Sequence, residues 1–458
     1  MKRTLILLSL FAVPGMVTSC KCEAATPSPD NTASVAESAK SPAEATLLRI
    51  EKLSKIMGVP SSIGIRAGFE GKTAEMEKLS EEELQFFCLG AALAGRTELV
   101  MQCIDSKDES IADVALGAAA AGEHMELVHM LLEQGADPAR GLMGAALGGH
   151  MGIVQLMLEK GATNYNEGLV GAALGVHMDI ILLMPEKGAT NCNDGLVGAA
   201  LGGHMDIILL MLEKGATNYN DGLAGAALGG QKELALLMLD KGADPNDGLY
   251  GAALGGHMDI VQLLLDKGAT YFNRGLEGAA RGGHKDIVQL LLKKGATDLN
   301  AGLEGAVERG HMDIVQMMLD KGADPNDGLF GAARDGHMDI VQLLLSKGAT
   351  NYNWGLEGAA CRGHMDIVQL LLSKGATDYD WGLYWAARGG HMEIVQLLLS
   401  KGATDYNLGL EGAAEGGHTE IVQLLLSKGA TNLDSALETA ECRGHTECAE
   451  LIRAAMKK

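Results

Sequence analysis

From about residue 88 to the end of the chain, near-copies of one stretch return every 26 or 27 residues, and this period constrains the fold more than any other feature. One copy reads Gly255-Gly256-His257-Met258-Asp259-Ile260-Val261-Gln262-Leu263-Leu264-Leu265-Asp266-Lys267-Gly268-Ala269. A unit this short cannot enclose its own apolar face. It buries that face only against the units before and after it, which is the condition for a solenoid.

Within the copy, Ile260, Leu263 and Leu264 fall at i, i+3 and i+4, the spacing of one side of a helix, while Asp259, Gln262 and Asp266 point elsewhere. Asp259 in the first turn and Lys267 at the end complement the helix dipole, and Gly268 suits a left-handed C-terminal cap. Just upstream, Gly248-Leu249-Tyr250-Gly251-Ala252-Ala253-Leu254 reads as a shorter helix whose alanines let another backbone come close. Gly255-Gly256 turns the chain between the two. Each unit is therefore expected to be helix, tight turn, helix, short loop.

Leu249, Ala252-Ala253, Gly256-His257, Ile260-Val261, Leu263 to Leu265 and Gly242-Ala243-Asp244-Pro245-Asn246 together resemble the ankyrin repeat, which pairs a Leu/Ala helix with Gly-His, a Val/Leu helix and Gly-Ala-Asp-x-Asn. The family's Thr-Pro-Leu-His opening is missing and is replaced by motifs such as Asp247-Gly248-Leu249-Tyr250. The family period is about 33 residues. Here Asn246 runs straight into Asp247 and Gly248, so the shortfall comes from the loop that normally projects as a β-hairpin. The resemblance implies an all-α solenoid of ankyrin-like helix pairs lacking most of that finger.

A chain of 458 residues suggests about three globular domains by length, but a solenoid grows in one dimension and escapes that prior. With 62 Gly, 23 Met and only 4% aromatics, the core must be built from Ala, Leu, Ile, Val and Met. The net charge of −22 argues against a nucleic-acid partner, because phosphate neutralisation needs clustered Lys and Arg. The acidity is read as a solvated surface.

Taken in order, residues 1–19 read as a signal peptide: Lys2 and Arg3 lead, Leu5 to Val13 is a short apolar run, and Val17-Thr18-Ser19-Cys20 closes it. This resembles a bacterial lipoprotein signal, which implies lipidation at Cys20 and attachment to a membrane through a lipid anchor only. Cleavage near Ala24 and no export at all are the alternatives. Residues 20–46, rich in Ala, Ser, Pro, Thr and Glu, read as a disordered tether. Residues 47–87 read as N-terminal capping helices, 88–434 as the repeat array and 435–458 as a C-terminal capping repeat. Fourteen units at about 10 Å per layer would extend on the order of 140 Å. Pro185 replaces a helix leucine and marks an expected weak point between Ile180 and Lys187.

Twelve histidines hold the same frame, among them His124, His257 and His445, with Gln231 in the thirteenth place. Consecutive ones stand one layer apart, too far to share an ion, so they are read as structural turn residues. Cys88 and Cys103 occupy core leucine positions and are expected to face inward, as two thiols or as a disulfide. No nucleophile elbow, phosphate loop or metal-binding motif stands apart from the repeat, so no enzyme, catalytic residue, metal or cofactor is expected.

What varies between units is free to make a surface. Two positions one helical turn apart on the first helix read Met143/Leu147, Val170/Leu174, Val197/Leu201, Ala224/Leu228 and Tyr250/Leu254, then turn to Glu277/Arg281, Glu304/Glu308, Phe330/Arg334, Glu357/Cys361, Tyr384/Arg388 and Glu411/Glu415. The apolar run is either an exposed binding strip or buried between layers. All three tryptophans, Trp354, Trp381 and Trp385, lie within 32 residues. Trp354 and Trp381 share a frame position and are expected to stack. Together with Phe330, Tyr384 and Arg388, and with Tyr250 and Leu254 in the apolar run, they form the expected partner-binding set. The functional expectation is a monomeric, non-enzymatic protein-binding solenoid, exported and lipid-anchored, or else secreted or cytoplasmic. A passive spacer and a secreted effector of a host-associated bacterium are the alternatives.

Overall fold

The computed structural model describes Leu47 and residues 62–72, 81–104 and 109–457. The expected signal peptide of residues 1–19, the expected lipidation site Cys20 and the expected tether of residues 20–46 lie outside the described residues, as do residues 48–61 and 73–80 of the expected N-terminal cap. The chain divides into two compact units, residues 1–295 and 296–458, and each is described by itself. Among the described residues there are helices and no strands.

A representative unit runs Pro245–Leu254, the turn Gly255-Gly256-His257, then Met258–Asp266. Asp244 caps the first helix by accepting from the Asn246 N–H at 2.9 Å, with Pro245 at the first helical position. The turn needs Gly256 at φ 76°, and the second helix ends on Gly268 at φ 97°. Leu249, Ala252 and Ala253 from the first helix and Ile260, Val261 and Leu264 from the second are fully buried, each large side chain contributing about 1.5–3 kcal/mol. Leu263, expected in this core, is instead half-exposed, because the buried stripe runs through Val261.

Within each unit of the molecule the first helices form one layer and pack on one another, while the second helices stand further apart and lean on their own first helix. Glycine makes the first layer close. A Cβ on Gly144 would lie 1.9 Å from the Gly117 carbonyl oxygen, and one on Gly171 2.5 Å from that of Met143. The same device joins the described part of the N-terminal cap: Ser62–Glu70 meets Glu81–Leu93 through Gly68 and Gly90.

Two polar ladders tie successive repeats. His Nε2 donates to a carbonyl of the preceding repeat in His124 to Leu93 (2.9 Å), His150 to Ala121, His257 to Leu228 and His391 to Cys361. A carbonyl only accepts, so these rings carry the proton on Nε2. Gln231 also lies against the preceding repeat at Gly203, but its amide donates to Gly229 of its own repeat at 3.2 Å. The second ladder is built by asparagine: Asn166 Oδ1 accepts from the Thr190 and Asn191 N–H groups at 2.9 and 3.0 Å, Asn326 repeats this on Thr350 and Asn351, and Asp380 does so on Thr404 and Asp405. Each bond is worth about 1 kcal/mol.

Pro185 does not break its helix. Met178–Lys187 stays continuous because the proline sits in the last turn and forfeits a single backbone bond. The same repeat carries a second irregularity: Val176 takes the left-handed turn position (φ 66°) that Gly149 and Gly203 hold in adjacent repeats. Cys88 and Cys103 are buried as two thiols hydrogen-bonded to each other; that bond and burial push the Cys88 thiol up, and the same bond holds Cys103 down.

Candidate functional site

The apolar run on the first helices of unit 1 is mostly sealed. Met143, Leu147, Val170, Val197, Leu201 and Leu228 are buried between layers, which corrects the exposed-strip alternative. Leu174, Ala224, Tyr250 and Leu254 are half-exposed, and the Tyr250 hydroxyl accepts from Arg281 Nη1 at 3.2 Å. The two most exposed aliphatic side chains of this unit lie on second helices instead. Leu182 (48% exposed) and Leu209 (51%) stand where Gln155 and Gln262 stand in other repeats.

In unit 2 the first helices carry a different surface. Trp354 opens the helix Tyr352–Arg362, is 65% exposed, and lines hollows on two sides. Trp381 opens the next first helix, Tyr379–Arg388, and is 46% exposed. The two indoles do not stack as expected. Trp381 meets Tyr384 edge-on at 5.6 Å, since one helical turn offers a nearer ring than the neighbouring repeat does. Tyr384 in turn meets Trp385 edge-on at 5.1 Å, and the Arg388 guanidinium lies 5.2 Å over the Trp385 ring.

Trp385 is half-buried, and its frame position explains why. It occupies the position where Gly358 and Gly412 stand in the adjacent repeats. At those glycines a Cβ would come within 2.7 Å of Phe330 O and 2.4 Å of Tyr384 O. Trp385 is thus a wedge between two first helices. Its indole N–H is shielded from solvent and near Glu357, without a well-formed hydrogen bond. Burial pushes the Glu357 carboxyl above its usual range, the indole N–H works against that, and Asp378 adds to it.

Glu415 gathers the next layer. The Tyr384 hydroxyl donates to it at 2.6 Å, and Arg388 and Arg443 lie 3.3 and 2.6 Å from its other oxygen. Burial works to raise the Glu415 pKa, but the hydroxyl and two guanidiniums outweigh it and hold the carboxylate ionised below its usual range. Burial first, then the bond to Glu415, pushes the Tyr384 phenol up to about 12. Phe330 lies under the Arg334 guanidinium at 5.6 Å. The structure therefore brings Trp381, Tyr384, Trp385 and Arg388 into one cluster and sets Phe330 with Trp354 around a neighbouring hollow of about 300 Å³. Tyr250 and Leu254 belong to unit 1 and to neither cluster. A wider hollow of about 860 Å³ beside Met312, Asp313 and Gln342 is shallow and has no aromatic wall. Among the described residues, no group of three His, Cys, Asp or Glu side chains gathers as a metal site.

Stacked helix pairs joined by Gly-His turns define a helical-repeat protein. Residues 223–457, just over half of the chain, match the family model for ankyrin repeats (3 copies) in overlapping stretches, and the chain belongs to the ankyrin-repeat family. None of the curated proteins is detectably similar to it. Repeats of this family generally mediate protein–protein interaction and typically act as non-enzymatic scaffolds.

Proposed function

We propose that the chain is a protein-binding scaffold whose partner docks on the first helices of unit 2, with Trp354, Trp381, Tyr384 and Arg388 as the contact residues and Phe330 and Trp385 holding them in place. The observation that carries this reading is a pair of exposed indoles one repeat apart, at a frame position held in other repeats by residues such as Asp194, Asp221, Ala301 and Asp327. Exposed tryptophan beside ordered arginine and tyrosine is the composition of an interface hot spot. Tyr250 and Leu254 join the proposed surface as a separate, weaker patch. The reading includes export and anchoring through a lipid on Cys20, supported by Lys2, Arg3, the run from Leu5 to Val13 and the closing Cys20.

The test is affinity capture from native membranes with the full chain, comparing wild type with a Trp354→Ala/Trp381→Ala/Arg388→Glu variant whose helicity is checked by circular dichroism. All three side chains are exposed or half-exposed, so the fold should survive. Loss of a specific partner by at least tenfold supports the scaffold. Identical capture profiles support a passive spacer. Membrane fractionation of Cys20→Ala reads the anchor: the protein should move to the soluble fraction.

A further inference from the structure

The hollow beside Trp354 adjoins one residue that departs from the frame. At the second alanine of the first helix, filled by Ala280 in unit 1 and by Ala333, Ala360, Ala387 and Ala414 in unit 2, the helix Leu299–Glu308 carries Val307. Val307 is buried, and its two methyls reach into the space beside Gly328 and Gly331. It faces the next helix, Pro325–Arg334. A Cβ on Gly331 would meet nothing closer than Val307 Cγ1 at 3.3 Å, whereas at Gly358 the preceding backbone stands at 2.7 Å. Val307 lines the gap between these two helices, and the gap is the hollow of about 300 Å³.

Its lining is specific. Glu304, Glu308 and Asp327 supply three carboxylates against one guanidinium, Arg334. That guanidinium is held over the Phe330 ring and lies 3.5 Å from Asp335. Trp354 closes the rim with its indole largely in solvent. A volume near the lower limit for small-ligand sites accepts one long side chain rather than a helix or a folded element. An aromatic wall beside carboxylates favours a cation. A planar guanidinium satisfies both, because it stacks on an indole and pairs with carboxylates in a fork, which a lysine ammonium does not. The chain's net charge of −22 would steer a basic segment towards it.

We propose that this pocket receives an arginine side chain from a basic segment of the partner protein, an inference that rests on the protein-binding reading above and gives that partner its chemistry. Arginine enters between Glu304 and Glu308 and lays its guanidinium on Trp354.

The experiment is titration of tryptophan emission in the full chain with N- and C-blocked arginine, against blocked citrulline, its neutral isostere. Trp354→Phe isolates the Trp354 signal from those of Trp381 and Trp385. A lone side chain should bind in the millimolar range, with citrulline at least tenfold weaker. Gly331→Leu fills the hollow from a position whose Cβ would press on the Val307 methyl alone, so it should abolish the arginine response, with helicity checked by circular dichroism. Glu308→Gln should weaken it several-fold. Equal responses to arginine and citrulline would overturn recognition of charge, and an unchanged response in Gly331→Leu would overturn the location. A failed titration beside intact, tryptophan-dependent capture overturns this pocket alone. A normal titration without any such capture overturns the assignment of the arginine to a protein.

Discussion

The repeats over residues 138–202 and those over residues 299–388 share one frame and use it in opposite ways. In the first region the central glycines, Gly144, Gly171 and Gly198, are all kept, and the positions beside them, Met143, Leu147, Val170 and Val197, are buried by the neighbouring layer. In the second region Val307 and Trp385 interrupt the frame of small residues, and the flanking positions carry Glu304, Phe330, Arg334, Tyr384 and Arg388 at the surface or half-buried. The difference teaches that in a short repeat the joint between layers is set by one or two small residues. Where they are kept and the flanks are apolar, as at Val170 and Val197, the flanking side chains become core, while larger or polar flanks such as Tyr250 beside Gly251 stay half-exposed. Where a larger residue enters, as at Val307 and Trp385, the joint opens or is wedged.

The comparison is broken or upheld most directly by adding one methyl to each kind of joint. Gly144→Ala places a Cβ against the Gly117 carbonyl, where only backbone can move, and should cost about 3 kcal/mol. Gly331→Ala meets only a valine methyl and should be neutral or stabilise by up to about 0.7 kcal/mol, as expected for alanine in a helix interior. Urea unfolding followed by circular dichroism, with hydrogen exchange to locate the loss, decides it. Equal effects at the two sites would mean that the spacing of the layers is not what separates the regions.

A smaller effect sharpens the same contrast from within the tightly packed region. The repeat that holds Gly171 also holds Val176 in a left-handed turn and Pro185 in a helix. Pro185→Leu restores a backbone bond and the leucine found at Leu158 and Leu212, and should stabilise by about 2 kcal/mol. Val176→Gly should add about 1 kcal/mol by relieving the turn. A gain from neither would show that the repeat is strained only on paper, with its neighbours fixing the geometry at no cost.

Much of the fold was legible because its signals are local. The helix pair, the glycine turns and the absence of the hairpin finger follow from spacing within one unit, and the histidines read correctly as turn residues from their frame alone. What remained illegible depends on how one unit lies on the next. Burial of Met143 and Val170 turns on the distance between layers, which no single repeat states. The Asn166 ladder needs the following loop to lie over the asparagine side chain. Trp354 and Trp381 share a frame position, but sharing a frame places two side chains one layer apart and leaves their rings to the nearest partner, which for Trp381 is Tyr384. The frame positions of Trp385 and Val307 carry a further signal. Aligning the repeats by frame shows tryptophan in a glycine position and valine in an alanine position, which marks the joints where the structure departs from its rule.

The smallest expected effect tests the feature common to both regions, the histidine ladder. Burial, as the largest cause, holds His257, His284 and His391 below the ordinary histidine range, against the pull of the backbone carbonyls each one bonds. A depressed folded-state pKa means that the unfolded chain binds the extra proton first, so stability from these rings is complete above about pH 6.5 and is lost as pH falls through their folded values. Glu357 and Asp247 have raised pKa values and act in the opposite sense, but across the lower carboxylate range, so the two effects separate on the pH axis. Unfolding midpoints measured between about pH 7.5 and 5.5 should fall with acidity. His391→Gln should flatten that slope at some cost in stability, since Gln231 shows that the frame accepts glutamine while giving up the bond to the preceding repeat. A slope unchanged by His391→Gln would place the acid sensitivity elsewhere, and the ladder would then be a packing device in both regions with no share in the response to pH.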